Sequence, residues 1–111
     1  VFINIILNKN KFLSNFEKQL KNIKEKVPVS IEIKNQDEAY DRCAYLFSSY
    51  DTICYDKGDD TLVMNIYYYR FQKDEIIRNI LFLGHYVKVM SPKNIVDEVI
   101  SNISAAYNAY C

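Results

Sequence analysis

Glycine and proline are scarce in this chain, two of each in 111 residues, and tryptophan is absent. With only Gly58 and Gly84 there is no glycine-rich loop of the kind that cradles phosphates with backbone N–H groups. Flexible linker composition is missing for the same reason. The single histidine, His85, has no Ser or Cys motif nearby with which to build a nucleophile and base, so the sequence does not read as an enzyme. Cys43, Cys54 and Cys111 are odd in number, widely spaced and without a CxxC pair, which excludes a disulfide framework and a zinc knuckle. That usage suits a reducing, cytoplasmic setting. No apolar run approaches the ~20 residues that cross a bilayer, and no secretory signal pattern is visible, so no membrane partner is expected. No cofactor or metal site is suggested either: Asp56, Asp59 and Asp60 lack the ligand ladder and terminal Glu of a calcium loop, and a hairpin turn accounts for them.

What is present is globular. Half the residues are hydrophobic and a quarter charged. A chain of this length buries roughly two-thirds of the surface it exposes when unfolded, enough for one core. The net charge is zero but unevenly spread: residues 1–34 hold seven Lys against three Glu, and residues 35–111 hold seven Lys plus Arg against eleven Asp plus Glu. An acidic body argues against a stand-alone nucleic-acid binder. The chain begins at Val1 rather than Met and reads as part of something longer.

Periodicity predicts the elements. Phe2 to Leu7 is an apolar run, then Ser14 and Glu17 have capping-box spacing ahead of Phe16, Leu20, Ile23 and Val27, an amphipathic helix with a lysine face that Pro28 stops. Val29, Ile31 and Ile33 alternate with polar residues as in a half-buried strand. Asn35 and Glu38 form a second capping-box pattern before a helix that buries Ala39, Cys43, Leu46, Phe47 and Tyr50. Asp51 to Tyr55 and Thr61 to Phe71 read as a hairpin turning through Asp56 to Asp60. A helix through Ile76, Ile77, Ile80, Leu81 and Leu83 carries Asp74 and Glu75 in its first turn and stops at Gly84. Val87 and Val89 form a last strand. Ser91-Pro92 then starts a helix through Ile95, Val96, Val99, Ile100, Ile103 and Tyr107, with Pro92 at its first position. The resulting order from Val29 is β-α-β-β-α-β-α, an α+β, ferredoxin-like split βαβ with an antiparallel sheet, an N-terminal helix and an extra C-terminal helix.

Alternation along Thr61 to Phe71 sets Leu62, Met64, Ile66 and Tyr68 toward the core. Val63, Asn65, Tyr67 and Tyr69 fall on the open sheet face beside Ser30, Glu32, Tyr86 and Lys88. Two readings compete for this face. Bases could stack on its tyrosines, or the tyrosines could pack in a protein interface. Arg42 and Arg70 are the best anchors for an anionic group, with ordinary surface pairing as the alternative. Arg78 can pair with Asp74 one turn earlier. The candidate ligand or interface residues are therefore Tyr67, Tyr69, Arg70, Tyr86, Lys88, Arg42 and Asn65.

Three segments carry a family resemblance: Glu38-Ala39-Tyr40-Asp41-Arg42-Cys43-Ala44-Tyr45-Leu46-Phe47-Ser48-Ser49-Tyr50; the hairpin Tyr55-Asp56 to Asp60-Thr61 leading into Tyr67-Tyr68; and Glu75-Ile76-Ile77-Arg78-Asn79-Ile80-Leu81 through Gly84 to Val87-Lys88-Val89-Met90-Ser91-Pro92. In this order they resemble the C-terminal extension domain of WYL-domain-containing bacterial transcriptional regulators, over residues 27–110. The resemblance implies that residues 1–26 are the end of a preceding WYL-like domain plus a connector helix, and that 27–111 are the extension domain. It further implies upstream WYL and helix-turn-helix domains, DNA contact through the latter, a homo-oligomer, and a ligand-sensing and dimerisation role. In that family nucleotide or single-stranded nucleic-acid ligands are implicated, and direct binding of such a ligand by the Tyr-rich face is the alternative function. The scarcity of arginine, Arg42, Arg70 and Arg78 alone, departs from that picture.

Overall fold

The computed structural model describes residues 24–111. The apolar run Phe2 to Leu7, and most of the helix built on Phe16, Leu20 and Ile23, lie outside them. The elements run β1 (Val29–Lys34), α1 (Ala39–Leu46), β2 (Asp51–Gly58), β3 (Thr61–Tyr67), α2 (Lys73–Leu83), β4 (Val87–Ser91) and α3 (Lys93–Ala109), with short 3-10 turns at Arg70–Gln72 and Gly84–Tyr86. The class is α+β, with one four-stranded sheet in the order β2-β3-β1-β4. Every neighbouring pair is antiparallel. Among the described residues no helix is long and apolar enough to cross a membrane.

β1 lies in the middle of this sheet because its alternation suits a strand with one dry face. Val29, Ile31 and Ile33 are fully buried while Ser30, Glu32 and Lys34 point the other way. Burying each such side chain contributes about 1.5–3 kcal/mol over leaving it exposed. Ile31 pairs with Met64 on one side and Val89 on the other, so all three strands bring apolar side chains to the same face. There they meet Ala39, Cys43 and Phe47 from α1 and its exit, Ile76, Ile77, Ile80 and Leu83 from α2, and Ile95 and Val99 from α3. The opposite face carries no helix among the described residues.

Several details differ from the sequence-based expectations. The chain at Lys24 to Pro28 is not the end of a helix: Lys24 bridges Tyr69 in antiparallel fashion, the Glu25 N–H donates to the Tyr68 carbonyl at 3.0 Å, and Val27 is exposed. The capping box at Asn35 and Glu38 does not form. Glu38 takes a left-handed conformation (φ 62°) without a side-chain cap, and the Asn35 N–H instead donates to the Asp60 carbonyl at 2.9 Å, tying this loop to the hairpin. β2 runs on to Gly58, and the turn shrinks to Asp59 and Asp60, at φ 53° and 55°. Positive φ at both residues is what a two-residue hairpin turn requires, and Asp tolerates it better than most residues. β3 stops at Tyr67 rather than Phe71, because the Gln72 side chain accepts from the Tyr69 N–H at 2.9 Å while the Gln72 N–H donates back to the Tyr69 carbonyl. That local bonding satisfies backbone groups the ladder would otherwise use. Ser91 belongs to β4, and Pro92 is the cap of α3 rather than its first residue. Gly84 ends α2 as expected, at φ 63°, its N–H donating to Ile80 and Leu81.

Candidate functional site: the open sheet face

Residues directly paired across antiparallel strands share a face. The pairs Tyr55↔Val63 and Glu32↔Val63, with Glu32↔Lys88, make one row across the open face. Ile53, Asn65 and Ser30 make the next. Tyr67 extends the face at one end and Lys34 at the other. Ile53, Tyr55 and Met90 are about half exposed here. Val63, expected to be open, is 4% exposed although it lies outside the main core, and Leu62, expected to be buried, is only partly so. Met64, Ile66 and Tyr68 are buried as the alternation requires.

The candidate residues separate into two groups at opposite ends of the sheet, since Val29 pairs with Ile66 at one end and Lys34 with Thr61 at the other. Asn65 lies between them, opposite Ser30 and Ile53. At the first end are Tyr67, Tyr69 and Arg70. Tyr69 stacks parallel on Phe71 at 5.7 Å between ring centroids, with the Lys24 ammonium 5.8 Å from its ring. The Arg70 guanidinium donates to Glu25 at 3.0 Å, the ordinary surface pairing that was the alternative to anion anchoring. Such exposed pairs contribute about 0–1 kcal/mol, so they occupy these groups more than they stabilise the fold.

At the second end are Tyr86, Lys88 and Arg42. Tyr86 donates its hydroxyl proton to Asp37 at 2.6 Å, and this bond, followed by burial, raises its pKa above the ordinary tyrosine value. His85 lies in the 3-10 turn with its ring centroid 4.1 Å from that of Tyr86. The Arg42 guanidinium lies 5.8 Å from the other ring's centroid, a cation over an aromatic face. A cavity of about 460 Å³ opens beside them on the sheet; its charged lining is Lys34, Lys57 and Lys88 with Glu32 and Asp59, and Thr61, His85 and Tyr86 add polar groups. Lys57 bonds the Glu32 carboxylate, which holds Glu32 below its usual pKa, with the Lys88 and Lys34 charges adding to the effect. The same bond raises Lys57.

Lys57 and Lys34 were not among the candidates. Lys34 was legible, since alternation already set it on the face of Glu32. Lys57 was hidden because the strand was ended at Tyr55, and only the extension of β2 to Gly58 aligns it with the face. Arg78 is not in ion-pair contact with Asp74 among the described residues; its charge acts instead near Tyr50. Asp56 accepts from the Gly58 N–H at 2.8 Å, a turn role. Cys43 is fully buried, and burial pushes its thiol up to about 11.

Scans against protein-family models, curated proteins and solved structures return no match to this chain.

Proposed function

We propose that this chain is a regulatory, ligand-sensing and dimerisation domain of a bacterial transcriptional regulator, cytoplasmic, working by binding rather than by catalysis. The scaffold we infer is ferredoxin-like: the order β2-β3-β1-β4 with α1 and α2 on one face is what two interleaved βαβ units produce. The resemblance of residues 27–110 to WYL-associated extension domains supports the upstream WYL and helix-turn-helix partners and the DNA they would reach. The observation that carries the ligand-sensing reading is the cavity at the Lys34 end of the sheet. Three ammonium groups, Lys34, Lys57 and Lys88, converge there with two carboxylates, Glu32 and Asp59, which leaves the cations in excess by one. The volume falls in the range of small-molecule sites, roughly 300–1,000 Å³. Ammonium groups are compact point charges with several donors, suited to a multi-oxygen anion such as a phosphate monoester.

Calorimetric titration at low ionic strength, with inorganic phosphate and a simple phosphate monoester as probes, tests this. Binding that weakens at least tenfold in Lys34→Ala and Lys88→Ala, and in raised salt, is the expected result. No heat with either probe would remove the ligand-sensing part of the reading. A second reading, that a protein surface covers this face, is favoured by the half-exposed Ile53, Tyr55 and Met90. The nucleotide or single-stranded nucleic-acid alternative would draw on Tyr67 and Tyr69 as stacking platforms, but Arg70 is engaged by Glu25 there.

A further inference from the structure

α3 carries two apolar stripes. One, Ile95 and Val99, enters the core. The other is Val96, Ile100, Ile103, Tyr107 and Tyr110, spaced four, three, four and three residues apart, which is the period of a seam that packs on another helix. Of this second stripe only Val96 is partly buried; Ile100, Ile103, Tyr107 and Tyr110 are 55%, 56%, 69% and 94% exposed. Every residue from Ile100 to Cys111 is exposed, so the last turns of α3 extend past the body to which its first turns are packed. Isolated helices shorter than ~12–15 residues are marginal in water, and packing of an apolar face ordinarily supplies the missing stability. Beside the first half of the same stripe is an apolar groove of about 260 Å³, lined by Leu81, Val87, Val89, Val96, Ile100 and Ile103.

We infer that two copies of this chain pair through α3 in antiparallel sense, with Ile103 at the two-fold axis and the free end of each helix lying along the groove of the other. Three observations select a second copy as the occupant. The stripe is nearly symmetric about Ile103, so antiparallel pairing sets Val96 against Tyr110 and Ile100 against Tyr107. No side chain from Val99 to Cys111 is charged, so self-pairing brings no like charges together. One molecule supplies both the groove and the projecting apolar helix, and a two-fold axis satisfies both at once in a closed contact. The inference names a surface for the dimerisation in the regulatory reading and is independent of the lysine-lined cavity.

Light scattering coupled to size exclusion on the full 111-residue chain should give twice the monomer mass of 13.1 kDa. Ile103→Asp should return the mass to that of one chain with an unchanged circular dichroism spectrum, because Ile103 is exposed in the single chain. Orientation is read by mild oxidation in a Cys54→Ser background: Val96→Cys should cross-link to Cys111 of the other copy. A predominant Cys111 to Cys111 cross-link would overturn the antiparallel arrangement. A strictly monomeric chain, or a dimer that Ile103→Asp leaves intact, would overturn the pairing itself. So would a monomer that Ile103→Asp unfolds, since the stripe would then be covered from within the chain, for instance by residues 1–23. Phosphate titration of the Ile103→Asp monomer keeps failure of the dimer separate from failure of the anion site.

Discussion

Tyr50 sits 7% exposed at the exit from α1, its ring edge-on to Phe47 at 6.0 Å, with a buried hydroxyl that has no hydrogen-bond partner among the described residues. The Glu75 carboxylate is close enough to disfavour the phenolate, but it stands outside hydrogen-bonding geometry. Burial and then Glu75 raise the Tyr50 pKa. An orphaned buried hydroxyl costs about 1–3 kcal/mol of desolvation. Tyr50→Phe keeps the ring and removes that cost, so its urea midpoint should rise, corresponding to a gain of about 1 kcal/mol. Cys43 sets a pH limit. Its thiol is pushed up to about 11 by burial, with the neighbouring Cys54 adding, against an ordinary value of 9.0. A raised pKa means the unfolded chain loses this proton first, so stability is whole below pH 9 and falls as pH rises toward 11. The loss amounts to about 2–3 kcal/mol at the upper end. Urea titrations from pH 7 to 11 should show this fall, and Cys43→Ala should flatten it while lowering the neutral-pH midpoint through lost packing.

At the scale of elements, the boundaries turn on backbone conformation. Gly84 has φ 63° and ψ −132°, a combination open in practice only to glycine, and a Cβ there would meet no atom within 4 Å. Gly84→Ala should therefore cost about 1–3 kcal/mol from backbone strain alone, seen as a lower urea midpoint with an unchanged slope. This stop was legible from an apolar helical period ending at a glycine. The Asn35 and Glu38 capping pattern misled, because a right spacing does not guarantee the geometry: the Asn35 N–H is used by Asp60, a residue twenty-five positions away. The end of β3 was misread for a similar reason. Tyr67, Tyr68 and Tyr69 all favour strands by propensity, yet the Gln72 side chain closes a turn on Tyr69.

At the scale of the whole molecule, the sheet carries helices on one face and side chains alone on the other among the described residues, which gives it one dry core and one face of different character. β2 is an edge strand with all eight residues exposed, and the charged Asp51, Asp56 and Lys57 along it discourage pairing with a foreign strand. Periodicity determined which residues make the core, because Val29, Ile31, Ile33, Ala39, Cys43, Ile76, Ile80 and Ile95 follow from a period of two or near four whatever their partners. It also determined that Glu32 and Lys88 share the open face. It did not determine that Tyr67 and Tyr86 stand at opposite ends of that face, since register follows from which strands pair. Nor could it show that Ile100, Ile103 and Tyr107 are left exposed while Ile95 and Val99 are buried. One helical period covers all five, and only the length of the sheet and of α2 beneath α3 decides where the core ends and the exposed seam begins.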